Sequence, residues 1–421
     1  MNTKAVRMYG KKDLRLEEFS LPEIREDEIL ARVVSDGICM STHKAAVQGE
    51  DHKRVPADIA RRPVIIGHEF CGEIVEVGFK WRGQFSGGQK FSIQPALNQP
   101  RNPYEALGYS FPFIGGNATY IVIPGVVMEL GCLLPYDGEA YFCGSLAEPL
   151  SCIIGAFHAA YHTSKTSYEH QMGIVKGGRM AILAGAGPMG LGAIDYALHG
   201  GTTPSLLVVT DIDGVKLERA ASVYTTEDAR KRGISLHYVN TAKISAPDEY
   251  LLSITGGKGF DDVFIFAPVR SLAEQGDAIL GKDGCLNFFA GPTDPGLKAG
   301  FNLYNIHYQG THIIGTSGGN TQDLKEALNL MERGLLNPAS MITHIGGLDS
   351  AAHATLNLPG LPGGKKLIYT NIRMELTALA DFAEKGRQNP MFGCLAEIVR
   401  KTGGLWSAEA ERYLLAHAEK I

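Results

Sequence analysis

Six short apolar runs recur in the middle of the chain, and helical or polar sequence separates each run from the next. Short apolar runs that alternate with helical stretches are typical of parallel strands joined by crossover helices. The pattern therefore predicts an α/β fold with a doubly wound parallel sheet. The runs are Met180–Ala184, Leu206–Thr210, Leu236–Val239, Asp261–Phe266, Cys285–Ala290 and Thr311–Gly315.

A glycine-rich turn follows the first of these runs and opens a helical stretch, and Asp211 stands at the end of the second run. Glycines at such a turn let a pyrophosphate approach the backbone amides, and a carboxylate after the next strand can accept hydrogen bonds from an adenosine ribose. A tight turn without a ligand is the alternative. Because Asp211 would repel a 2′-phosphate, the pattern favours NAD(H) over NADP(H), and Asp213 adds to this argument. The candidate cofactor-binding residues are Gly185, Gly187, Pro188, Met189, Gly190 and Asp211.

Composition and charge narrow the class of protein. The 421 residues carry a net charge of −5 without a basic stripe, so we expect no nucleic-acid partner. The most apolar uncharged stretch, Met180–Ile194, contains Gly and Pro and is shorter than the roughly 20 residues of a membrane helix, so we expect no membrane partner. Seven scattered cysteines, never spaced Cys-x-x-Cys, exclude a disulfide scaffold and fit a reducing cytoplasm.

The two ends of the chain differ from its middle. The first ~145 residues read as short strands separated by turns, with a long loop predicted from Met40 to Gly67. The last fifty residues read as helices, predicted at Glu375–Lys385, Met391–Thr402 and Ala408–Lys420. A β-rich domain and a helical C-terminal extension are therefore expected around the parallel-sheet domain.

Three potential metal ligands lie in the β-rich part. Cys39 precedes the pair His68 and Glu69, and thiolate, imidazole and carboxylate groups all bind zinc. Three protein ligands with one open position are typical of a catalytic zinc rather than a structural one. The alternatives are a capping or surface His-Glu pair and a small buried cysteine. Glu148 is either a further carboxylate of this site or a charge favoured by the positive end of a helix.

The motifs together resemble the zinc-dependent medium-chain alcohol and polyol dehydrogenases. The resemblance covers residues 1 to about 370, and the matching segments keep the order and spacing of that family. They are Cys39 with Ser41, Gly67-His68-Glu69 with Gly72, Gly115–Tyr120, Glu148–Ser151 and the turn Gly185–Gly190.

The resemblance implies a GroES-like, β-rich catalytic domain and an inserted Rossmann domain with the doubly wound sheet. We predict that residues 1–155 and 319–421 form the catalytic domain with its helical extension, and residues 156–318 the Rossmann domain. It further implies that Cys39, His68 and Glu69 bind one catalytic zinc, that Glu148 lies beside the metal or its water, and that Ser41 begins a proton relay. Many relatives bind a second, structural zinc through four cysteines. Residues 92–142 contain a single cysteine, Cys132, so this second zinc is expected to be absent.

A closer resemblance, to the bacterial L-sorbose-1-phosphate reductases of that family, rests on three further segments together with Gly144–Glu148 and the long Met40–Gly67 loop. The three segments are Gly108–Pro112, Gly284–Pro292 and Gly315–Asn320, and the resemblance extends through Gly363–Lys366. The implied activity is reduction of a ketose phosphate to a polyol phosphate, namely L-sorbose 1-phosphate to D-glucitol 6-phosphate. The alternatives are a dehydrogenase of another polyol or polyol phosphate, such as galactitol 1-phosphate, and a non-catalytic NAD-binding scaffold.

The substrate phosphate has two candidate contacts. Ser317, Gly318 and Gly319 run into a helix N-terminus, which offers free amides, and Lys44 follows Cys39 and could add a positive charge. An ordinary helix cap with a glycine turn is the alternative. The small-molecule partner is thus expected to be a sugar phosphate, and the resemblance implies a homodimer or homotetramer.

Overall fold

The structure, a computed structural model, describes residues 1–163 and 167–421. Its strands, in chain order, are β1 (Asn2–Gly10), β2 (Asp13–Ser20), β3 (Ile29–Ile38), β4 (Val64–Ile65), β5 (Glu69–Val77), β6 (Lys90–Ile93), β7 (Tyr120–Ile123), β8 (Leu133–Pro135), β9 (Tyr161–Thr163), β10 (His170–Met172), β11 (Arg179–Leu183), β12 (Leu206–Asp211), β13 (Ser235–Asn240), β14 (Phe260–Ile265), β15 (Leu280–Phe288), β16 (His312–Gly315), β17 (Ile342–Gly347), β18 (Lys365–Tyr369) and β19 (Thr377–Ala378).

The helices are α1 (Met40–Gln48), α2 (Gly125–Glu129), α3 (Tyr141–Ala159), α4 (Pro188–His199), α5 (Gly214–Val223), α6 (Thr226–Lys231), α7 (Pro247–Ile254), α8 (Arg270–Ala278), α9 (Leu303–Gln309), α10 (Thr321–Glu332), α11 (Leu348–Asn357), α12 (Phe382–Lys385), α13 (Pro390–Lys401) and α14 (Ala408–His417). Contacts divide the chain into two units. The first comprises Met1–Glu148, Asn320–Glu332 and Met341–Ile421, and the second comprises Pro149–Gly319 and Arg333–Ser340. The domain boundaries at 155/156 and 318/319 stay predictions.

Strand β3 lies at the centre of the first unit. It is hydrogen-bonded to β5, β7 and β18, all antiparallel to it. Its sequence, ILARVVSDGI, is buried almost throughout, which agrees with a strand that has neighbours on both edges. The sheet continues from it in the order β19-β17-β18-β3-β5-β6-β8. The end of β3 therefore meets the beginning of β5, where the predicted metal ligands lie.

The second unit contains a six-stranded parallel sheet in the order β13-β12-β11-β14-β15-β16. Strand β11 lies at the switch point, with one succession of strands running outward on each side. This order is that of a doubly wound dinucleotide-binding sheet, so the predicted fold is confirmed. Its core contains the apolar side chains that the strand pattern had placed inside, among them Ala181, Val208, Val263 and Leu286.

Two sequence predictions of local structure were wrong. The segment from Met40 to Gly67 is not one loop, because it begins with α1, which has no side-chain cap and buries the small residues Ala45 and Ala46. The helix predicted at Glu375–Lys385 is reduced to α12, because Thr377 and Ala378 pair with β17 instead. In both places tertiary contacts override a weak local signal.

Helix α3 carries Glu148 and is long because Pro149 lies inside it without ending it. Within the described residues it alone has the length and apolar composition of a membrane span, and 72% of its most apolar stretch is buried inside the molecule. The most apolar uncharged stretch of the sequence, Met180–Ile194, contains β11 and the start of α4.

The C-terminal extension is tied to helix α3 through one buried carboxylate. Glu411 of α14 accepts hydrogen bonds from the first two amides of α3, at 2.6 Å from Tyr141 N and 2.9 Å from Phe142 N. It also accepts from the hydroxyl of Tyr369 at 2.8 Å, and that hydroxyl in turn accepts from Trp406 Nε1 at 2.8 Å. The carboxylate thus caps the positive end of α3 and joins it to β18.

Replacing Glu411 with Ala should lower the free energy of unfolding by about 3 kcal/mol, because buried donors lose their acceptor. Urea denaturation followed by circular dichroism measures this change. The control is Glu409→Ala, exposed on the same helix, which should change stability by less than about 0.5 kcal/mol. Equal unfolding midpoints for the two variants would show that the cap contributes nothing.

Candidate active site

The three predicted metal ligands come together in the first unit. Cys39 directly follows β3, and His68 and Glu69 stand at the start of β5, whose register pairs Glu69 with Gly37. The cysteine sulfur, an imidazole nitrogen and a carboxylate oxygen all lie within 4.8 Å of one another. His68 and Glu69 are buried, and Cys39 is partly buried. Antiparallel pairing of β3 with β5 is thus what assembles the cluster.

Glycine is required on β3 where the side chain of Glu69 packs against that strand. A Cβ added at Gly37 would lie 2.2 Å from Glu69 Oε2, so no other residue leaves room for this carboxylate. Gly67, just before the ligand pair, has φ +93°, a conformation that side chains other than glycine rarely adopt. The backbone around the cluster is therefore fitted to the carboxylate.

Hydrogen bonds orient the imidazole of His68. Its Nδ1 lies 2.9 Å from Thr42 Oγ1 and 3.1 Å from the Tyr109 hydroxyl, and its Nε2 lies 3.3 Å from Ser41 Oγ. Tyr109 also donates to Ser41 Oγ at 2.9 Å, and Ser41 donates to Cys39 Sγ at 3.1 Å. The partners at Nδ1, Thr42 and Tyr109, therefore fix the orientation of the ring.

Buried charges dominate the electrostatics of the cluster. Glu69 forms an ion pair with Lys365, and both side chains are almost fully buried. Burial raises the pKa of Glu69 to about 7, although the Lys365 ammonium opposes the shift. Burial, and then the charge of Glu69, raise the pKa of Asp36 well above its ordinary value. Burial also lowers the pKa of His68 against the pull of Glu148 and Glu69.

The side chains present fit a zinc ion. Glu69 Oε2 is buried and has no hydrogen-bond partner among the described residues. An unpartnered buried carboxylate oxygen is costly, and a cation bound at that atom would remove the cost. The sulfur, nitrogen and oxygen donors of Cys39, His68 and Glu69 are those that zinc prefers. Within residues 1–163 and 167–421, no other group of three such side chains comes as close together.

Glu148 is buried on α3, outside this group of three. Burial raises its pKa, and the charges of His68 and Glu69 act on it in opposite directions. Its predicted place beside the metal or its water stays a prediction.

Sequence reasoning missed two residues of the cluster, Tyr109 and Lys365. Both had been noted only as parts of matching segments, and neither had been given a role. Tyr109 is fully buried beside His68, with ring centroids 5.0 Å apart. Lys365 and Lys366 lie on a strand that the structure buries throughout, where a lysine needs a partner.

The predicted cofactor turn lies in the second unit, between β11 and α4. A Cβ at Gly190 would lie 2.1 Å from Gly185 O, so this glycine lets the helix pack on the turn, whereas Gly187 faces open space. Helix α4 begins with Pro188 and Met189 and has no side-chain cap, so its amides remain available to an anion. Asp211 accepts a hydrogen bond from Ala186 N at 3.2 Å.

Asp213, which had supported the NAD argument, has a structural role in the second unit. Its carboxylate caps α5 by accepting from the amides of Val215 and Lys216. Asp211 is therefore the carboxylate that the turn itself holds in place.

The candidate phosphate contacts fall in different units. Lys44 is half-buried in α1 of the first unit, and Ser317, Gly318 and Gly319 belong to the second. The amides of Gln322 and Asp323 at the start of α10 already donate to Asn320 Oδ1, at 2.7 and 3.0 Å. These hydrogen bonds favour an ordinary helix cap over a phosphate site at this helix. The phosphate contacts stay predictions.

Comparisons with known proteins agree with this architecture. The family model described as alcohol dehydrogenase GroES-like domain matches residues 25–130, and the model described as zinc-binding dehydrogenase matches residues 188–333. Among solved structures, 2R,3R-butanediol dehydrogenase from Bacillus subtilis superposes with a TM-score of 0.70 at 20% identity, over 88% of this chain and 100% of that one. The GroES-like and Rossmann folds are thereby confirmed.

Among the relatives that match over nearly the whole chain are two with named activities. L-sorbose 1-phosphate reductase from Klebsiella pneumoniae is 52% identical over 100% of this chain and 98% of its own. Mannitol-1-phosphate 5-dehydrogenase from Aliivibrio fischeri is 52% identical over 98% and 97%. A zinc-ligand cluster in a GroES-like fold, followed by a dinucleotide-type sheet, defines a zinc-dependent dehydrogenase. The chain belongs to the zinc-dependent medium-chain alcohol and polyol dehydrogenases.

The purified protein should contain about one zinc ion per chain by elemental analysis. Glu69→Gln should lower the zinc content several-fold, because the carboxylate ligand is lost. Glu73→Gln, further along the same strand and paired with Arg32, is the matched control and should keep its zinc. Two tightly held zinc ions per chain, or equal zinc in both variants, would contradict the assignment.

Proposed function

We propose that the protein is an NAD(H)-linked, zinc-dependent oxidoreductase that interconverts a ketose phosphate and a polyol phosphate. The pair proposed first is L-sorbose 1-phosphate and D-glucitol 6-phosphate. The observation that carries the proposal is the buried cluster of Cys39, His68 and Glu69, and the relatives named above support the substrate class. A non-catalytic scaffold would have no use for three converging ligands and an unpartnered carboxylate oxygen.

Cys39, His68 and Glu69 would hold the zinc ion. When bound, zinc polarises the substrate carbonyl as a Lewis acid, and the nicotinamide exchanges a hydride with the carbonyl carbon. The work of the chain is to hold these ligands in place. Thr42 and Tyr109 fix the ring of His68, and Lys365 holds one oxygen of Glu69.

A proton leaves the hydroxyl of the polyol on oxidation and returns on reduction. Ser41 is the residue we assign to this transfer, because its hydroxyl accepts from Tyr109 at 2.9 Å and lies 3.1 Å from Cys39 Sγ. Burial raises the pKa of Tyr109, so its hydroxyl keeps its proton and donates a hydrogen bond to Ser41. Glu148, whose pKa burial also raises, is the second candidate for the proton.

The turn formed by Gly185, Gly187, Pro188, Met189 and Gly190 would hold the pyrophosphate of the cofactor. Asp211, at the end of β12 and bonded to Ala186 N, would accept hydrogen bonds from the adenosine ribose and repel a 2′-phosphate. This arrangement supports NAD(H) as the preferred cofactor.

Oxidation of mannitol 1-phosphate is a second candidate function. The relative named mannitol-1-phosphate 5-dehydrogenase is as similar to this chain as the reductase is. Both activities use a phosphorylated open-chain polyol, so the shared chemistry is the phosphate. We further propose one catalytic zinc, a cytoplasmic location and a homodimer or homotetramer, without a nucleic-acid or membrane partner.

A screen of ketohexoses and their phosphates, followed by NADH absorbance, tests the proposed function. Phosphorylated ketoses should give a kcat/KM at least about 10-fold above the corresponding plain sugars, since one charge-assisted contact supplies this much. L-sorbose 1-phosphate and D-fructose 6-phosphate are the two substrates to compare first. Equal activity on plain and phosphorylated sugars would refute the proposal, as would inactivity on all of them with zinc bound.

Replacing Asp211 with Ala should lower the ratio of kcat/KM for NADH to that for NADPH by about 10-fold, because the repulsion of the 2′-phosphate is removed. Steady-state kinetics with both cofactors measures the ratio, and Glu218→Gln, exposed on α5, is the control. A variant whose turn is damaged would lose kcat/KM equally with NADH and NADPH. A native protein that prefers NADPH would overturn the assignment.

A further inference from the structure

A basic cavity lies in the first unit, between residues 53–56, which connect α1 to β4, and residues 101–110, which connect β6 to β7. Its volume is about 390 Å³, and three cationic side chains line it: Lys53, Arg54 and Arg101. Glu105 contributes one carboxylate, and Ser110 one hydroxyl. The cavity therefore carries a net positive charge in a chain whose overall charge is −5.

The cations of this cavity are not neutralised by ion pairs. Across residues 1–163 and 167–421, no carboxylate lies within ion-pair distance of Lys53, Arg54 or Arg101. Lys53 Nζ lies over the Tyr104 ring at 4.9 Å, and Arg54 Cζ over the Tyr109 ring at 5.2 Å. Aromatic faces orient the two cations but leave their hydrogen-bond donors to a ligand.

The positive charge also acts on the adjacent histidine. Burial, and then the charges of Arg54, Lys53 and Lys44, lower the pKa of His52 to about 4. His52 is thus neutral near pH 7, and its ring is stacked parallel to that of Tyr109, with centroids 6.0 Å apart. Lys44, predicted from the sequence as a phosphate contact, belongs to the same positive field.

Tyr109 contacts both a cation of the cavity and a residue of the zinc-ligand cluster. The Tyr109 ring contacts Arg54 on its face, and its hydroxyl bonds to Ser41 and lies beside His68. The next residue, Ser110, lines the cavity and donates its hydroxyl to Arg54 O at 2.7 Å.

We propose that Arg54, with Lys53 and Arg101, binds the phosphoryl group of the substrate while the carbonyl group lies at Cys39, His68 and Glu69. The inference rests on the proposed function and names the residues that make the enzyme specific for phosphate esters. Guanidinium groups suit a phosphate because they offer paired donors in one plane. The glycine loop before α10 is less suited, because Asn320 already occupies its amides and Asp323 brings a carboxylate.

The test compares two variants with the native enzyme. One is Arg54→Gln, and the other carries both Lys53→Ala and Arg101→Ala. The control is Arg62→Gln, an exposed cation of the same segment that is paired with Asp58. For the ketose phosphate that the native enzyme reduces best, kcat/KM should fall about 10- to 100-fold in Arg54→Gln, mostly through KM. The double variant should lose about 10-fold, and Arg62→Gln should stay within about twofold. With the matching plain ketose, all the variants should equal the native enzyme.

A second readout does not depend on turnover. Inorganic phosphate should inhibit the native enzyme competitively against the ketose phosphate, and its inhibition constant should rise at least about 10-fold in Arg54→Gln. Because Arg54 lies on Tyr109, zinc content and unfolding midpoint are measured for each variant, and Arg54→Lys should recover part of the affinity.

The outcomes separate the two proposals. If the native enzyme does not distinguish phosphorylated from plain ketoses, the proposed function fails and this inference with it. If the native enzyme prefers phosphates but the variants keep that preference, only the inference is overturned. Equal losses on phosphorylated and plain substrates would show that Arg54 acts through Tyr109 on the cluster rather than on the phosphate, and would also overturn it.

Discussion

The ion pair between Glu69 and Lys365 is the interaction on which the first unit depends. Both groups are almost fully buried, and removing one partner of such a pair typically costs about 3–5 kcal/mol, because the other is left as an uncompensated charge. Lys365 begins β18, which follows the whole second unit in the chain and pairs with the end of β3. The ion-pair partner of Glu69 is therefore in place only when the returning chain joins the sheet. This makes the metal cluster a long-range feature, although its ligands lie within a short N-terminal stretch.

Burial of a second carboxylate, Asp36, adds to the same constraint. It accepts from the amide of Glu69 at 3.1 Å and from the side chain of Asn117, and a Cβ at Gly116 would lie 2.1 Å from it. Two ionised carboxylates on adjacent strands would repel each other in a medium of low dielectric constant, so burial and then the charge of Glu69 raise the pKa of Asp36 and favour its protonated form. A divalent cation at Cys39, His68 and Glu69 would favour the ionised form of Glu69 against the burial that raises its pKa, so the site is stabilised by the ion that it serves.

Sequence patterns predicted the parts of the molecule that are encoded locally. The strands of the parallel sheet, the turn Gly185–Gly190 and the ligand pair His68-Glu69 each lie within a short window whose pattern has a physical meaning. Tyr109 and Lys365 could not be assigned a role in this way, because a buried tyrosine and a lysine on a strand acquire their function only from partners far away in the chain. Helix α1 was missed for a similar reason: its alanines pack on α11, some 300 residues later, and its start carries no side-chain cap.

The N-termini of α4 and α10 both follow glycine-rich turns, yet their chemistry differs. Helix α4 begins after Gly187 without a side-chain cap, so its first amides remain available to an external anion. At α10 the Asn320 side chain accepts from those amides, and Asp323 supplies a negative charge at the positive end of the helix. A helix that carries its own carboxylate gains little from a phosphate, which would have to displace Asn320 and approach that carboxylate. Glycine spacing alone therefore does not distinguish an anion site from a capped helix; the side chains at the first turn do. By this criterion the second unit offers α4 to the cofactor, and a phosphorylated substrate needs cations from elsewhere in the chain.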